Sequence, residues 1–178
     1  MTKETTPKPD GKDEAEHIVA QIQKKLTDAF DVFDGDKTRS VDVKEVPTII
    51  HSLNLVPTQG EMRDLITEME DGDNSDIIKY EKFTAVMTDV LVNKKFKPAN
   101  ENKIYKALQV LDTENKGYYT KEDLIRMMTT EGEPLNAEEM NEMLQTCSAF
   151  IDPESAAENP KILYKYYINE LVVEDTKD

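Results

Sequence analysis

Apolar residues recur at helical spacing through most of the chain. Ile18, Val19, Ile22, Leu26, Ala29, Phe30 and Phe33 form one stripe, which predicts an amphipathic helix from about Glu14 to Phe33. Val46, Ile49 and Ile50 open a second helix that should stop near Leu53, with Pro47 inside it. Proline has no amide proton to donate, so a distortion is expected near the start of that helix. Met62, Leu65, Ile66 and Met69 mark a third helix behind a capping box, Thr58-Gln59-Gly60-Glu61. Phe83, Val86, Met87 and Leu91 mark a fourth, from about Tyr80 to Val92. The pattern then repeats. Ile104, Leu108 and Leu111 lie on a helix from about Asn100, and Leu124, Met127 and Met128 on the next. Met140, Met143, Leu144 and Cys147 follow a further capping box at Asn136-Ala137-Glu138-Glu139, and a last helix spans about Tyr164 to Val173.

Polar loops separate the helices of each pair. The first, Asp34 to Glu45, reads DGDKTRSVDVKE and carries carboxylates at positions 1, 3, 9 and 12. A twelve-residue calcium loop of the EF-hand type needs side-chain oxygens at positions 1, 3 and 5 and a backbone carbonyl at 7. It often adds a water-bridged group at 9, and a bidentate carboxylate at 12. Asp34, Asp36, Thr38, Ser40, Asp42 and Glu45 are therefore the candidate metal ligands. Arg39 stands at position 6, where glycine normally makes the sharp turn. A left-handed backbone there costs on the order of 1–2 kcal/mol, and the arginine brings a positive charge towards the ion. Asp42 and Glu45 can also cap the following helix with no metal present.

The other three loops have lost ligands. Counted from Met69, the second begins at Glu70; counted back from Ile78 and Phe83, it begins at Asp71. The mismatch implies a one-residue insertion, and the second count puts Lys82 where the bidentate carboxylate belongs. The third loop, Asp112 to Asp123, keeps Asp112, Glu114 and Gly117 but has Lys116 at position 5 and the shorter Asp123 at position 12. Weak calcium binding is the most it should support. The fourth, IDPESAAENPKI, contains Pro153 and Pro160 and reaches Tyr166 at the acidic position, so no metal is expected there.

Loops beginning near residues 34, 71, 112 and 152 give a repeat of roughly 40 residues, the mark of a recurring supersecondary unit. Helix–loop–helix units bury their apolar faces against one another in pairs. The fold expected is all-α, with two lobes of two units and a short β-bridge in each. Val41 should face Ile78, and Tyr119 should face Ile162. The chain divides into a disordered tail (1–13), an N-terminal lobe (14–92), a linker (93–99), a C-terminal lobe (100–174) and a short tail (175–178). The linker holds a basic cluster, Asn93-Lys94-Lys95-Phe96-Lys97-Pro98, read as solvated or, in the functional alternative, as a docking point for an acidic partner.

Lys and Arg number 22 against 37 Asp and Glu, a net charge of −15. That balance argues against nucleic-acid binding, which needs a basic surface to displace counterions, and suits a cation or a basic helix as partner. A lone cysteine, Cys147, leaves no internal disulfide and fits a reducing compartment. No apolar run approaches the roughly 20 residues of a membrane span, and the N-terminus lacks the apolar stretch of a secretory signal. The methionines at 62, 69, 87, 127, 128, 140 and 143 fall on apolar faces, as core or as an adaptable groove for an amphipathic helix. His17 and His51 are isolated. No nucleophile–base pair, phosphate-cradling glycine loop or zinc cluster is visible, so no enzyme is expected.

From about residue 15 to 174 the four-unit layout resembles the calmodulin and centrin superfamily. Several segments are similar to a family of EF-hand subunits of the nexin–dynein regulatory complex of motile cilia. They are VFD followed by VDVKEVPTIIHSLNLVPTQGEMRDLI, then IIKYEKFTAVMTDVL, GEPLNAEEMNEML, IDPES and YKYYI. The resemblance implies a structural subunit in the axoneme of a cilium or flagellum, partnered by other subunits of that complex. It implies a role in regulating dynein-driven sliding. The leading expectation is a scaffold that clasps partner helices without calcium. A calcium sensor switching through the first loop is the alternative, and a light-chain-like stiffener of a motor helix is a third.

Overall fold

The structure, a computed structural model, describes residues 11–72, 76–155 and 159–172. The expected tail at 175–178 and most of that at 1–13 lie outside the described residues. The chain divides between Lys97 and Pro98 into two compact units.

In the first unit, helix α1 (Gly11–Asp31) begins ahead of the expected Glu14 and ends before Phe33. The amides of Phe33 and Asp34 both donate to the Phe30 carbonyl, at 3.0 and 3.1 Å, and this turns the chain out of the helix. Strand β1 (Ser40–Asp42) follows, then a 3₁₀ turn at Val43–Glu45 and helix α2 (Val46–Ser52). Pro47 thus sits in the first turn of α2, where the missing N–H has no intrahelical partner to lose. The distortion expected from the proline takes the form of a restart. Asp42 caps the 3₁₀ turn by accepting from the Lys44 amide at 2.8 Å. Glu45, expected to close a reciprocal box with Asp42, makes no capping bond.

Helix α3 (Gln59–Met69) has the full capping box: the Glu61 amide donates to Thr58 Oγ1 at 3.3 Å and the Thr58 amide to Glu61 Oε2 at 2.8 Å. Strand β2 (Ile77–Lys79) leads into α4 (Tyr80–Val92). β1 and β2 pair antiparallel with Val41 opposite Ile78, the register expected from the loop count. Leu26, Phe30, Ile49, Ile50, Ile78, Phe83 and Met87 are fully enclosed between them. Phe30 packs tilted against Phe83, ring centres 5.2 Å apart, and meets Tyr80 edge-on at 5.3 Å. Burying each such ring is worth roughly 1.5–3 kcal/mol. On α4 the buried residue of the last turn is Val90, and Leu91 lies at the core's edge; the sequence reading gave Leu91 that place.

The second unit repeats the plan. Helix α5 (Glu101–Leu111), capped by Asn100, leads to β3 (Tyr119–Thr120) and α6 (Lys121–Thr130). Helix α7 (Ala137–Cys147) has its capping box, and a 3₁₀ turn at Ser148–Phe150 follows. Strand β4 (Lys161–Ile162) and helix α8 (Tyr164–Leu171) complete it. Tyr119 lies opposite Ile162, again as expected, and Ile151 also bridges to Ile162. Leu124, Met127, Met140, Cys147, Tyr167 and Ile168 centre this core. Among the described residues no helix is long and apolar enough to cross a membrane.

Candidate functional site

The first loop gathers part of its candidate ligand set. Asp34 is buried, and its carboxylate is used by the loop itself. Oδ1 accepts from the Thr38 amide at 2.9 Å and the Thr38 hydroxyl at 3.3 Å, and Oδ2 accepts from the Arg39 amide at 2.8 Å. Thr38 Oγ1 and Ser40 Oγ lie 2.9 Å apart. Asp36 and Asp42 are exposed, and Asp42 is turned to its cap. Asp34, Thr38 and Ser40 are therefore joined, whereas Asp36, Asp42 and Glu45 are not drawn to them. Among the described residues no three Asp, Glu, His or Cys side chains converge as a metal would require.

Arg39 has the left-handed backbone expected of position 6, with φ +57°. Its side chain does not turn towards the loop. The guanidinium lies 4.0 Å from the Tyr80 ring centre and pairs with Glu81 at 3.0 Å. Tyr80 in turn places its hydroxyl 2.6 Å from Thr27 Oγ1 on α1. The charge expected beside an ion instead ties the first loop to α4 and, through Tyr80, to α1. Its partners lie about forty positions away in sequence, beyond the reach of any local pattern.

In the second loop the helix end and the bridge disagree by one residue, as the two counts implied. The Glu70 amide donates to Ile66, as Asp34 does to Phe30 and Asp112 to Leu108, so Glu70 holds the first position from the helix side. Ile78 nevertheless holds the eighth from the bridge side. Asp71 pairs with Lys79 at 2.7 Å and Lys82 at 3.2 Å. Those two ammonium groups hold its carboxyl below the ordinary range. An internal cation pair stands where a bound ion would otherwise balance the acid.

The third loop is closed in a different way. Asp112 is buried. Its Oδ2 accepts from the Gly117 amide at 2.7 Å and the Tyr164 hydroxyl at 3.0 Å. Burial pushes the Asp112 carboxyl up, but the Lys116 and Gly117 amides and the Tyr164 hydroxyl outweigh it and leave it below its usual value. Burial, then the bond to Asp112, pushes the Tyr164 hydroxyl up to about 12. Glu114 is paired with Lys116 at 2.6 Å, and Asp123 with the Thr120 hydroxyl at 2.8 Å. Tyr164 and Tyr80 are positional equivalents, each two residues after the bridging isoleucine. In the fourth loop, Ser155 holds the turn by accepting from the Lys161 amide at 3.0 Å and donating to the Asp152 carbonyl at 2.9 Å.

The methionines are mostly core. Met62, Met69, Met87, Met127 and Met140 are buried, and Met128 and Met143 pack against the second core. A Met-lined open groove is not what they form. The first unit has instead a groove of about 230 Å³ lined by Leu65, Val86 and Val90, by the acids Glu61, Asp64, Glu68 and Asp89 of α3 and α4, and by Lys95 and Phe96 of the segment that follows.

Paired helix–loop–helix units bridged through their loops define an EF-hand protein of the calmodulin-like class. The chain is 45% identical over 160 residues to dynein regulatory complex protein 8 of Mus musculus, which covers 90% of this chain and 93% of that one. It therefore belongs to the dynein regulatory complex protein 8 family. It is also 34% identical over 119 residues to a calmodulin-like protein of Dictyostelium discoideum, covering 66% of this chain and 75% of that one. Among solved structures it shares its fold with Mlc1p bound to IQ2 of Myo2p, a class V myosin. The TM-score is 0.60 and the identity 21%, covering 84% of this chain and 98% of that one. No family model matches the chain.

Proposed function

We propose that the protein is a non-catalytic subunit of the nexin–dynein regulatory complex in the axoneme of cilia or flagella. It clasps amphipathic helices of neighbouring subunits and helps regulate dynein-driven motility, and it needs no calcium to do so. The observation that carries the calcium-independence is that acids of the second and third loops already have partners within the protein. Lys79 and Lys82 meet Asp71, Tyr164 meets Asp112 and Lys116 meets Glu114. An EF-hand sensor opens because cation binding pulls a loop's ligands together; loops whose acids already have partners hold their lobes in one arrangement. The family membership supports the choice of complex, and the groove between α3 and α4 supports a helical partner.

Asp34, Asp36, Thr38, Ser40, Asp42 and Glu45 are the ligand set proposed for any calcium the protein does take. Calorimetry on the parent and on Glu45→Gln tests this. The expected result is no saturable heat below about 1 mM Ca²⁺ in either. Saturable heat in the parent that is lost in Glu45→Gln would make the protein a sensor. Recovery of the same subunits from ciliary extract with and without chelator tests the assembly role.

A further inference from the structure

The basic segment after α4 exposes its lysines but turns Phe96 back onto the first unit. Lys94 and Phe96 both take a left-handed backbone, with φ +53° and +57°, and the segment doubles back on the first unit. The Lys95 amide donates to the Val90 carbonyl at 3.0 Å, and the Val56 amide donates to the Phe96 carbonyl at 2.8 Å. Lys95 Nζ pairs with Asp89 at 2.8 Å. The Phe96 ring packs against the apolar cluster and forms part of the wall of the groove between α3 and α4.

The groove is therefore already in contact with a cation followed by an aromatic ring. Its acidic edge is larger than this segment uses. Asp64 lies on the same rim and has no ion pair within 4 Å among the described residues, while Glu68, also on the rim, already acts on the Lys95 charge. Lys94 and Lys95 close the end of α4, their amides donating to Leu91 and Val90 in the usual helix-terminating pattern; Phe96, with its own left-handed backbone, lies beyond that cap and is held by its ring contacts and by the bond from the Val56 amide.

We propose that Lys94–Phe96 is a resident strap on the groove, and that the occupant it yields to is a partner helix carrying lysine or arginine beside an apolar anchor. This rests on the helix-clasping role given above and names its regulation. The incoming helix exchanges its own anchor for Phe96 and its own cations for Lys95 beside Asp89 and Glu68, and it reaches Asp64 as well. Displacing the strap frees the chain at the boundary between the two units, so partner binding in the first unit changes the freedom of the link to the second. A closed strap lowers apparent affinity by the fraction of time the groove stays open.

The test uses the full chain and a synthetic 18-residue amphipathic helix of lysine and leucine with one tryptophan. The protein has no tryptophan, so the peptide's emission reports binding without background. The strap is read directly by amide exchange at Val56, whose amide donates to Phe96, in the unmodified protein. Peptide binding should speed exchange at Val56, Phe96→Ala should tighten binding by about tenfold, and Asp64→Lys with Glu68→Lys should weaken it. Peptide that binds through Asp64 and Glu68 yet leaves exchange at Val56 unchanged or slower overturns the strap and leaves the clasp intact. Equal affinity of the parent and a folded Phe96→Ala does the same. If neither binds the peptide at 100-fold excess, the groove is not a helix site and both readings fall.

Discussion

Replacing Tyr164 by phenylalanine removes one oxygen and little else. The ring keeps its contacts with Tyr105 and Tyr119, whose centres lie 6.1 and 5.1 Å away, so no cavity opens. What is lost is the hydroxyl bond to Asp112 Oδ2 inside a buried site. A hydrogen bond to a charged group is worth about 1.5–3 kcal/mol. That corresponds to roughly a tenfold to hundredfold change in an opening equilibrium. β3 belongs to the Asp112 loop and β4 ends two residues before Tyr164, so the amides of this pair report opening of the unit. Native-state exchange at those amides should accelerate by that factor in Tyr164→Phe, while the β1–β2 amides keep their parent rates. A change smaller than about twofold at β3–β4 would refute the reasoning, because the tyrosine would then not be what holds the buried acid.

Two further outcomes are expected. Asp112 has a folded pKa below its ordinary 3.8, so it stabilises the fold above pH about 4 and that contribution is lost as pH falls through the lower, folded value. Urea unfolding of the parent between pH 5 and 3 should show this loss, and Asp112→Asn should flatten that part of the profile. Arg39→Gly relieves a left-handed strain of about 1 kcal/mol but removes a cation–π contact worth about 0.5–1 kcal/mol and an exposed ion pair worth less. Its stability should stay within about 1 kcal/mol of the parent in urea unfolding; a larger loss would show that the Arg39–Tyr80–Glu81 cluster is a main support of the unit.

Helices and bridges were legible because their determinants are local. Apolar spacing placed the helices, and counting the loops paired Val41 with Ile78 and Tyr119 with Ile162. Of the three capping boxes expected, Thr58 with Glu61 and Asn136 with Glu139 form, and Asp42 with Glu45 does not. Contacts between remote side chains were not legible. Arg39 on Tyr80 and Tyr164 on Asp112 join residues from opposite ends of a unit, and no periodicity points to them. In the 93–98 segment the lysines are exposed, as their charge suggests, and the packing of Phe96 is what was not legible. Phe96 finds apolar surface on α3 and α4 that sequence alone does not place beside it. The face of α4 was off by one residue at its end, Val90 for Leu91, because helical stripes broaden where two neighbours share a helix.

The extra residue between Glu70 and Ile78 has a lasting consequence. Writing glutamate at position 82 would supply the missing acid, but the oxygens on either side of the insertion would still be out of step with one another. Recovery of that loop as an ion cage demands a deletion and a charge reversal together, and either change alone unsettles the Asp71 cluster with no gain in return. Stepwise point substitution therefore has no smooth path back, and descendants of this chain inherit a second loop committed to architecture.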